Sequence, residues 1–211
     1  MKKDIVYLLI FGLKNNMIID LFKTPVYSKK IVLESNKLLN YCLNIYKNYE
    51  GTINSNRGGW QSNNLIFGDN KFKKPFNILF EIVKKEVNIF FKQLSFSGKL
   101  KISNIWINVN SQNNFNILHH HPNSIISGVY YLKVPLNSGK LVFLHPSYQT
   151  FMYDWNNCNT NGFNHYNSSK FEIEPKKDFL ILFPSWLNHY VEPNNNKDLR
   201  ISISFNMIID K

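Results

Sequence analysis

Residues 116–122 read Asn-Ile-Leu-His-His-His-Pro, and residues 183–189 read Phe-Pro-Ser-Trp-Leu-Asn-His. Together they contain four of the six histidines of the chain. Side chains two positions apart on a β-strand point to the same face. His119 and His121 are therefore predicted to point to one side, and His120 to the other. If another strand brings His189 to the same place, three imidazoles can hold a metal ion and leave coordination positions open.

The ligand set alone does not identify the metal. Three histidines differ from the two-histidine, one-carboxylate set common among non-haem iron enzymes, and imidazole also suits zinc, copper and nickel. The alternative is that the histidines are ordinary structural residues clustered by chance. The second stretch favours a metal site, because there a hydrophobic strand leads through a turn to His189.

The length and composition predict one domain spanning residues 1–211. We divide it into an extra N-terminal segment (1–17), a helical support region (18–98) and a β-rich core (99–211). Apolar residues make up 44% of the chain, enough for a sizeable core. The formal net charge of +11 would suit a nucleic-acid partner, but the lysines are scattered and form no stripe. The sequence therefore indicates no clear nucleic-acid site.

Hydrophobic periodicity predicts helices over about 29–49 and 75–94, separated by a polar loop over 50–64. From residue 99 onward the pattern changes to short β-rich runs between Asn, Ser, Gly and Pro clusters. Strands are predicted over 18–27, 102–109, 124–134, 140–144, 170–174, 179–183, 189–192 and 199–207. The long polar segment 147–169 is predicted to be a lid or flap. The fold class is therefore mainly β with N-terminal helices (α+β), as an antiparallel barrel or sandwich.

Residues 1–13 combine two lysines with a short apolar run that is too short to span a membrane. We interpret this stretch as an extra strand or a start-site artefact, with Met17 as an alternative first residue. No membrane partner is expected. Cys42 and Cys158 show no metal-binding or disulfide spacing, so a reduced, cytoplasmic location is the default. Cys42 is expected in the core and Cys158 on the surface.

Arg200 is one of only two arginines, the other being Arg57, in a chain rich in lysine. A hairpin over residues 189–200 would place Arg200 beside the His189 strand inside the barrel. A buried guanidinium needs an anion. That anion is either a carboxylate of the chain, such as Asp178 or Asp198, or the carboxylate of a ligand held by the planar guanidinium.

Two further residues are candidates for the same ligand site. Ser202 lies two positions after Arg200 and shares its face of the strand. Tyr131 could add a hydroxyl group from a neighbouring strand.

The motifs over 116–132 and 183–206 resemble 2-oxoglutarate/Fe(II) oxygenases of marine bacteria and their phages. The loop at 58–62 and the start at 21–27 also resemble this family, so the likeness covers about 18–206. More distantly, 130–132 and 171–191 resemble prolyl hydroxylases of the same superfamily. The resemblance implies a double-stranded β-helix (jelly-roll, cupin-like) barrel with helices packed on one sheet.

The resemblance also implies a cofactor site for Fe(II) and 2-oxoglutarate. Iron would be held by His119, His121 and His189, with His121 at the position of the family's usual aspartate. That departure leaves open a three-histidine iron site, a different metal or an inactive barrel. Arg200 would hold the 5-carboxylate of 2-oxoglutarate, with Tyr131 as its hydroxyl partner. The other site residues proposed on this basis are Ser202 and Asn108 for the cofactor, and Arg57, Trp60, Gln61 and Trp186 for the substrate rim.

The expected function is hydroxylation of a small-molecule or peptide substrate with O₂, while 2-oxoglutarate is converted to succinate and CO₂. One alternative is a three-histidine cupin-type dioxygenase that uses no 2-oxoglutarate. Another is a non-catalytic metal-binding jelly-roll protein. A halogenase is not expected, because His121 fills the space that a halide would need. A homodimer is compatible with the sequence.

Overall fold

Two antiparallel β-sheets face each other in the computed structural model, which describes residues 18–210 except 19, 32, 66–75, 150–154 and 156–157. The helices are α1 (Ser35–Asn48) and α2 (Asn77–Gln93). The strands are β1 (Tyr27–Lys30), β2 (Asn56–Arg57), β3 (Trp60–Gln61), β4 (Leu100–Asn110), β5 (Phe115–His119), β6 (Ile126–Lys133), β7 (Leu141–Leu144), β8 (Lys170–Ile173), β9 (Phe179–Pro184), β10 (His189–Val191) and β11 (Arg200–Ile209).

The larger sheet has the strand order β1-β9-β6-β11-β4-β3, and the smaller sheet has the order β2-β5-β10-β7-β8. The predicted fold class, mainly β with N-terminal helices, is confirmed. The strands predicted after residue 99 are all present, with ends shifted by at most two residues. Strand β5 is additional, and it ends at His119. His121 therefore lies beyond the strand on which the prediction placed it.

The larger sheet has two chemically different faces, because successive side chains on a strand alternate. On β6, Tyr130 and Leu132 belong to the core that the sheet forms with the helices. Val129 and Tyr131, between them, belong to a second apolar cluster shared with the smaller sheet. The face toward the helices is thus continuous core. The opposite face is free to line a cavity between the sheets.

Both helices bury an apolar stripe on the larger sheet. In α1 the buried residues include Leu38, Cys42 and Ile45, at the spacing expected of an amphipathic helix. Helix α2, predicted over 75–94, is confirmed over its described part; Pro75 lies outside the described residues. The prediction that the first helix begins near residue 29 is wrong, as is the strand predicted over 18–27. Tyr27–Lys30 instead forms β1 and pairs with β9, a long-range contact that local periodicity cannot detect.

The polar segment 50–64, predicted as a loop, contains two short strands. Strand β2 pairs with β5 in the smaller sheet, and β3 pairs with β4 in the larger one. The chain therefore passes from one sheet to the other between β2 and β3. The side chain of Asn56 stabilises this passage by donating hydrogen bonds to the carbonyl oxygens of Thr52 (3.1 Å) and Gly59 (2.7 Å). Gly58 has φ of +72°, a conformation that glycine adopts without strain.

The predicted hairpin between the strands of His189 and Arg200 is wrong. Strand β10 pairs with β5 and β7, whereas β11 pairs with β4 and β6, so the two strands lie in different sheets. The connection crosses from one sheet to the other through Asn194, which is fully buried. Its side-chain amide donates to the carbonyl oxygens of Asn110 (3.0 Å) and Asp198 (2.8 Å). Arg200 consequently faces His189 across the barrel.

Some predictions concern residues that the structure does not describe. The N-terminal segment 1–17 lies outside the described residues, and so does part of the predicted lid over 147–169. Within the described part of the chain, no helix has the length and apolar character needed to span a membrane.

The packing of α2 on the larger sheet can be tested with two neighbouring residues. Leu79 is 1% exposed, whereas Ile78 is 70% exposed. We expect Leu79→Ala to lower the free energy of unfolding by about 2–5 kcal/mol, through lost burial and a residual cavity. Ile78→Ala, the matched control, should change it by about 0.5 kcal/mol or less. Urea unfolding of both variants measures the difference, and equal effects would contradict the packing described.

Candidate metal centre and its cavity

A cavity lies between the inner faces of the two sheets; its volume is about 60 Å³, and about 540 Å³ when the space open to solvent is included. It is lined by the three predicted metal ligands and by all four predicted cofactor residues. Its lining residues are Ser55, Trp106, Asn108, Asn110, Asn116, His119, His121, Gly128, Val129, Tyr131, Leu141, Phe183, His189, Val191, Arg200, Ser202 and Ser204.

Three histidines converge in this cavity. One potential ligand atom from each of His119, His121 and His189 lies within 4.8 Å of the others. The ring centroids are 4.3 Å apart for His119 and His189, and His121 lies 5.1 Å from each of them. Nitrogen atoms this close can coordinate one ion after small side-chain adjustments, because metal–nitrogen bonds are about 2.0–2.1 Å long. The residues present therefore fit a metal ion.

The pairing of β5 with β10 places the first two ligands. His189 pairs directly with His119, but Val191 pairs with Asn116, so β5 contains an extra residue between these positions. A β-bulge of this kind re-aims side chains and is common beside active sites. Here it allows both Asn116 and His119 to line the cavity, although they are three positions apart in sequence.

The rings of His119 and His189 are oriented by similar hydrogen bonds. The Nδ1 atom of His119 lies 2.7 Å from the carbonyl oxygen of Ile117, and that of His189 lies 2.8 Å from the carbonyl oxygen of Leu187. A carbonyl oxygen can only accept, so Nδ1–H donates in both rings. The lone pair is then on Nε2, where it is available to a metal ion.

His121 is positioned through its backbone. Its N–H donates to the carbonyl oxygen of Ser185 at 2.9 Å, and its ring centroid lies 5.8 Å from that of Trp106. Ser185 is itself fixed by a buried network. The hydroxyl oxygens of Ser127 and Ser185 are 2.8 Å apart, and the Ser127 hydroxyl donates to Oδ1 of Asn206 at 2.7 Å. The third ligand thus depends on tertiary hydrogen bonds between β6, β11 and the turn after β9.

Burial makes the three histidines neutral ligands at neutral pH. It lowers the pKa of His119, brings the pKa of His121 to about 4, and holds the pKa of His189 well below its usual range. Repulsion between neighbouring imidazoles adds to the effect on the pKa of each. Neutral imidazole is the form that coordinates metals.

Arg200 is 2% exposed and brings a positive charge into the cavity wall. One terminal nitrogen, Nη1, donates to the carbonyl oxygens of Ser138 and Gly139. Within the described residues, no carboxylate lies within ion-pair distance of this guanidinium. The alternative in which Asp178 or Asp198 pairs with it is therefore wrong. Burial lowers the pKa of Arg200, and the unused guanidinium N–H groups leave room for an external carboxylate.

The glycine at 139 supports this arrangement. Its φ of +84° and its close approach to the connection after β10 leave no room for a side chain. An added Cβ would lie 2.6 Å from the carbonyl oxygen of Pro193. The Gly139 carbonyl can therefore reach Arg200 because the residue lacks a Cβ.

The other predicted cofactor residues form a row across the larger sheet. Ser202 pairs with Asn108 on one side and with Tyr131 on the other. Burial raises the pKa of Tyr131 to about 12, so its hydroxyl stays protonated and can donate a hydrogen bond. The Asn108 amide donates to the Ser204 hydroxyl at 3.0 Å. The structure thus brings Tyr131, Ser202 and Asn108 into the cavity with Arg200.

None of the four predicted substrate-rim residues lines this cavity. Arg57 is exposed and donates to two backbone carbonyl groups of its own loop, and Trp186 is 55% exposed in the turn after β9. The Trp60 indole donates to the backbone carbonyl that follows α1. Gln61 is buried beside Asn108 at the β3–β4 pairing. A role for these residues in substrate binding stays a prediction.

Sequence reasoning missed other cavity residues, namely Ser55, Trp106, Asn110, Asn116 and Ser204. The signal for Trp106, Asn110 and Ser204 is the alternation of cavity-facing and core residues along β4 and β11. Asn108 and Asn110 on β4, and Arg200, Ser202 and Ser204 on β11, fall at every second position. On strands that are buried on both faces, regularly spaced polar residues indicate that one face lines a functional cavity.

Residues 104–206 match the sequence model of a family described as "Putative 2OG-Fe(II) oxygenase". The matched range contains the three histidines, Arg200 and Tyr131. No curated protein matches the chain in sequence.

Solved structures resemble the whole fold. A prolyl-4-hydroxylase from Pseudomonas putida is 14% identical, with a TM-score of 0.61 over 89% of this chain and 94% of its own. A prolyl hydroxylase from Trichoplax adhaerens, in complex with a hypoxia inducible factor peptide fragment, is 19% identical, with a TM-score of 0.62 over 87% and 83%. HygX from Streptomyces hygroscopicus, with nickel and 2-oxoglutarate bound, is 9% identical, with a TM-score of 0.57 over 88% and 83%. These likenesses confirm the double-stranded β-helix fold.

The metal centre can be tested by comparing adjacent histidines. We expect His121→Ala to weaken Co(II) binding by about a hundredfold or more, because it removes a ligand. His120→Ala, the control, changes an exposed side chain between the two ligands and should leave affinity within about twofold. Isothermal titration calorimetry measures both affinities. A larger effect at His120 than at His121 would contradict the assignment.

The buried network behind His121 makes a separate prediction. Ser127→Ala removes a hydroxyl that serves both Ser185 and Asn206. We expect it to lower the free energy of unfolding by about 1–3 kcal/mol, because it leaves buried polar atoms unpaired. The control is Ser111→Ala, at a half-buried position outside the network, and chemical denaturation compares the two. An unchanged stability in Ser127→Ala would mean that the network does not hold this turn.

Proposed function

Residues 104–206 match a model of the 2OG-Fe(II) oxygenase family, and from this premise we propose that the chain is such an oxygenase and hydroxylates a C–H bond of an organic substrate. The observation that carries the proposal is one cavity lined by three convergent histidines and by a buried arginine that no carboxylate of the described chain neutralises. In the overall reaction, substrate, 2-oxoglutarate and O₂ give hydroxylated product, succinate and CO₂. The oxygenase class, hydroxylation and the residue roles below all belong to this proposal.

His119, His121 and His189 would hold Fe(II). Their nitrogen donors suit iron, and the hydrogen bonds at Nδ1 of two of the rings direct the opposite nitrogen into the site. When bound, iron and 2-oxoglutarate would together supply the electrons that activate O₂. The task of the chain is to orient these groups and to keep the site dry.

Arg200 would hold the 5-carboxylate of 2-oxoglutarate. Nη1 is occupied by two carbonyl groups, so the rest of the planar guanidinium is left to grip a carboxylate through paired hydrogen bonds. Tyr131 and Ser202 offer neutral hydroxyl donors from the same wall. Asn108 would serve the 1-carboxylate side, with its amide oriented by Ser204.

Apolar residues near the ligands would exclude water from the site. The Phe183 ring lies 4.7 Å from the ring of His189, and the Phe143 ring lies 6.0 Å from His189 and 5.0 Å from Phe183. Val129 and Leu141 add aliphatic wall to the same cavity. A dry site strengthens electrostatic interactions and limits side reactions of the oxidant.

The substrate is proposed to be a small molecule or a peptide, with O₂ as the second reactant. The peptide option is supported by the Trichoplax adhaerens structure, which holds a peptide fragment on the same fold. Arg57, Trp60, Gln61 and Trp186 stay candidates for the outer part of this site. A cytoplasmic location is supported by the unpaired thiols of Cys42 and Cys158.

The rival function is a three-histidine dioxygenase that uses no 2-oxoglutarate. It would explain the metal ligands but would leave the buried charge of Arg200 without a partner. Burying an unpaired guanidinium is costly, and a dicarboxylate co-substrate removes that cost. The observation at Arg200 therefore favours the 2-oxoglutarate-dependent reaction.

The proposal can be tested on the only two arginines of the chain. We expect Arg200→Gln to weaken 2-oxoglutarate binding to the Ni(II)-loaded protein by about a hundredfold, because it removes a charge-assisted, paired hydrogen bond. Arg57→Gln is the matched control and should bind 2-oxoglutarate like the unmodified protein. Calorimetry measures binding, and succinate release from the Fe(II) protein in air measures turnover.

Arg200→Lys separates charge from geometry in the same experiment. Lysine keeps the charge but loses the planar donor pair, so we expect an affinity between those of the unmodified protein and Arg200→Gln. If the unmodified, metal-loaded protein binds no 2-oxoglutarate and releases no succinate, the proposed function is wrong.

A further inference from the structure

The described lining of the cavity contains no aspartate or glutamate. Its only permanently charged side chain is Arg200, and the remaining polar groups are neutral amides, hydroxyls, imidazoles and an indole. Neutral groups can orient a charge, but they cannot cancel one. The charge of any bound metal ion must therefore be balanced by the molecules that enter the cavity.

A simple charge count shows an imbalance, and it rests on the proposed function. Metal-bound histidines are neutral, so a divalent ion keeps both of its positive charges. Arg200 adds one positive charge, and 2-oxoglutarate brings two negative charges. One positive charge is left over. A site with two histidines and one carboxylate would reach neutrality with the same partners. A carboxylate at position 121 would supply the missing negative charge, whereas the neutral imidazole of His121 does not.

We propose that the cavity binds a monoanionic carboxylate group of the substrate beside 2-oxoglutarate, on the His121 side of the metal centre. An uncompensated charge in a largely buried site is costly, which gives a carboxylate a reason to enter. The substrate class of the proposed hydroxylase is then a carboxylic acid, or a peptide that carries a free carboxylate.

Trp106 provides an independent reason to place the anion near His121. It lines the cavity, and its ring centroid lies 5.8 Å from that of His121. The residue is half-buried, and its indole N–H donates to no acceptor within the described part of the chain. Trp has a donor and no acceptor, so this group suits an anion. The carboxylate would thus meet positive charge and a hydrogen-bond donor together.

The test uses the full chain loaded with Co(II), whose visible absorption reports on groups near the metal. Acetate is titrated with and without saturating 2-oxoglutarate, at constant ionic strength. The variants are His121→Asp and His121→Asn, which have nearly the same shape and differ in charge. Metal content is measured for each variant first.

We expect the unmodified protein to bind acetate in the presence of 2-oxoglutarate. His121→Asp should bind acetate at least about tenfold more weakly, because the added negative charge removes the excess positive charge. At saturating Co(II), His121→Asn keeps the net charge of the site and should bind acetate more tightly than His121→Asp does. Trp106→Phe should weaken acetate binding by about tenfold, through loss of a donor to a charged group.

The proposal is overturned if the unmodified protein binds no acetate, or if Asp and Asn at position 121 weaken acetate binding equally. An unchanged affinity in Trp106→Phe would overturn the placement at the indole. Titration with chloride distinguishes a free halide from a substrate carboxylate. Acetate should bind more tightly than chloride, and the reverse order would contradict a carboxylate substrate.

The experiment keeps the two proposals apart. Loss of 2-oxoglutarate binding in the unmodified protein would contradict the proposed function. The acetate titrations without 2-oxoglutarate would still decide whether a three-imidazole centre attracts an anion that the His121→Asp site does not. Binding of 2-oxoglutarate without any acetate response would contradict only the present inference.

Discussion

The pairing of β5 with β10 is the interaction on which the metal centre depends. It sets His189 directly opposite His119, and the extra residue in β5 allows both His119 and Asn116 to reach the cavity. A slip of one residue in this pairing would turn one ring away, since side chains alternate between faces. In both histidines the Nδ1–H group contacts the carbonyl two residues earlier. Pairing thus sets the position of the rings, and local hydrogen bonds set their orientation.

The pleat of the larger sheet explains how one strand can serve both core and cavity. On β11, Ile201 and Ile203 pack into the core beneath the helices, while Arg200 and Ser202 face the smaller sheet. Packing with α1 and α2 supplies the burial that stabilises the sheet. The opposite face is therefore free to carry polar side chains that contribute little to stability. Arg200 is the extreme case, because its desolvation is only partly offset by two carbonyl groups.

Local patterns in the sequence predicted most of the elements, and the spacing of the histidines predicted that His119 and His121 point to one side. The stripes of α1 and α2 and the strands after residue 99 other than β5 follow from periodicity. Short strands such as β2 and β3 could not be predicted in this way, because two residues carry no period. The hairpin over 189–200 failed for a similar reason. The length of a connection does not show which sheet the chain enters next, and here the buried Asn194 directs it across the barrel.

His121 shows most clearly what local sequence patterns cannot predict. Spacing placed it on the same face as His119, and it does join the site, yet it lies beyond the end of β5. Its position is set by Ser185, which in turn depends on Ser127 and the opposite strand. Such a network is not visible in local sequence, although its members fall within the motifs that resemble the oxygenase family.

Both ends of the cavity require negative charge from a bound molecule, for different reasons. At one end, Arg200 carries a charge that no described carboxylate neutralises. At the other end, the three imidazoles would leave a metal ion with its full charge. A dicarboxylate such as 2-oxoglutarate can reach both ends at once, one carboxylate to each, but it leaves one positive charge uncompensated at the metal end. An aspartate in place of His121 would remove this demand at the metal end. The histidine at this position therefore bears on which molecules the cavity admits, as well as on how the metal is held.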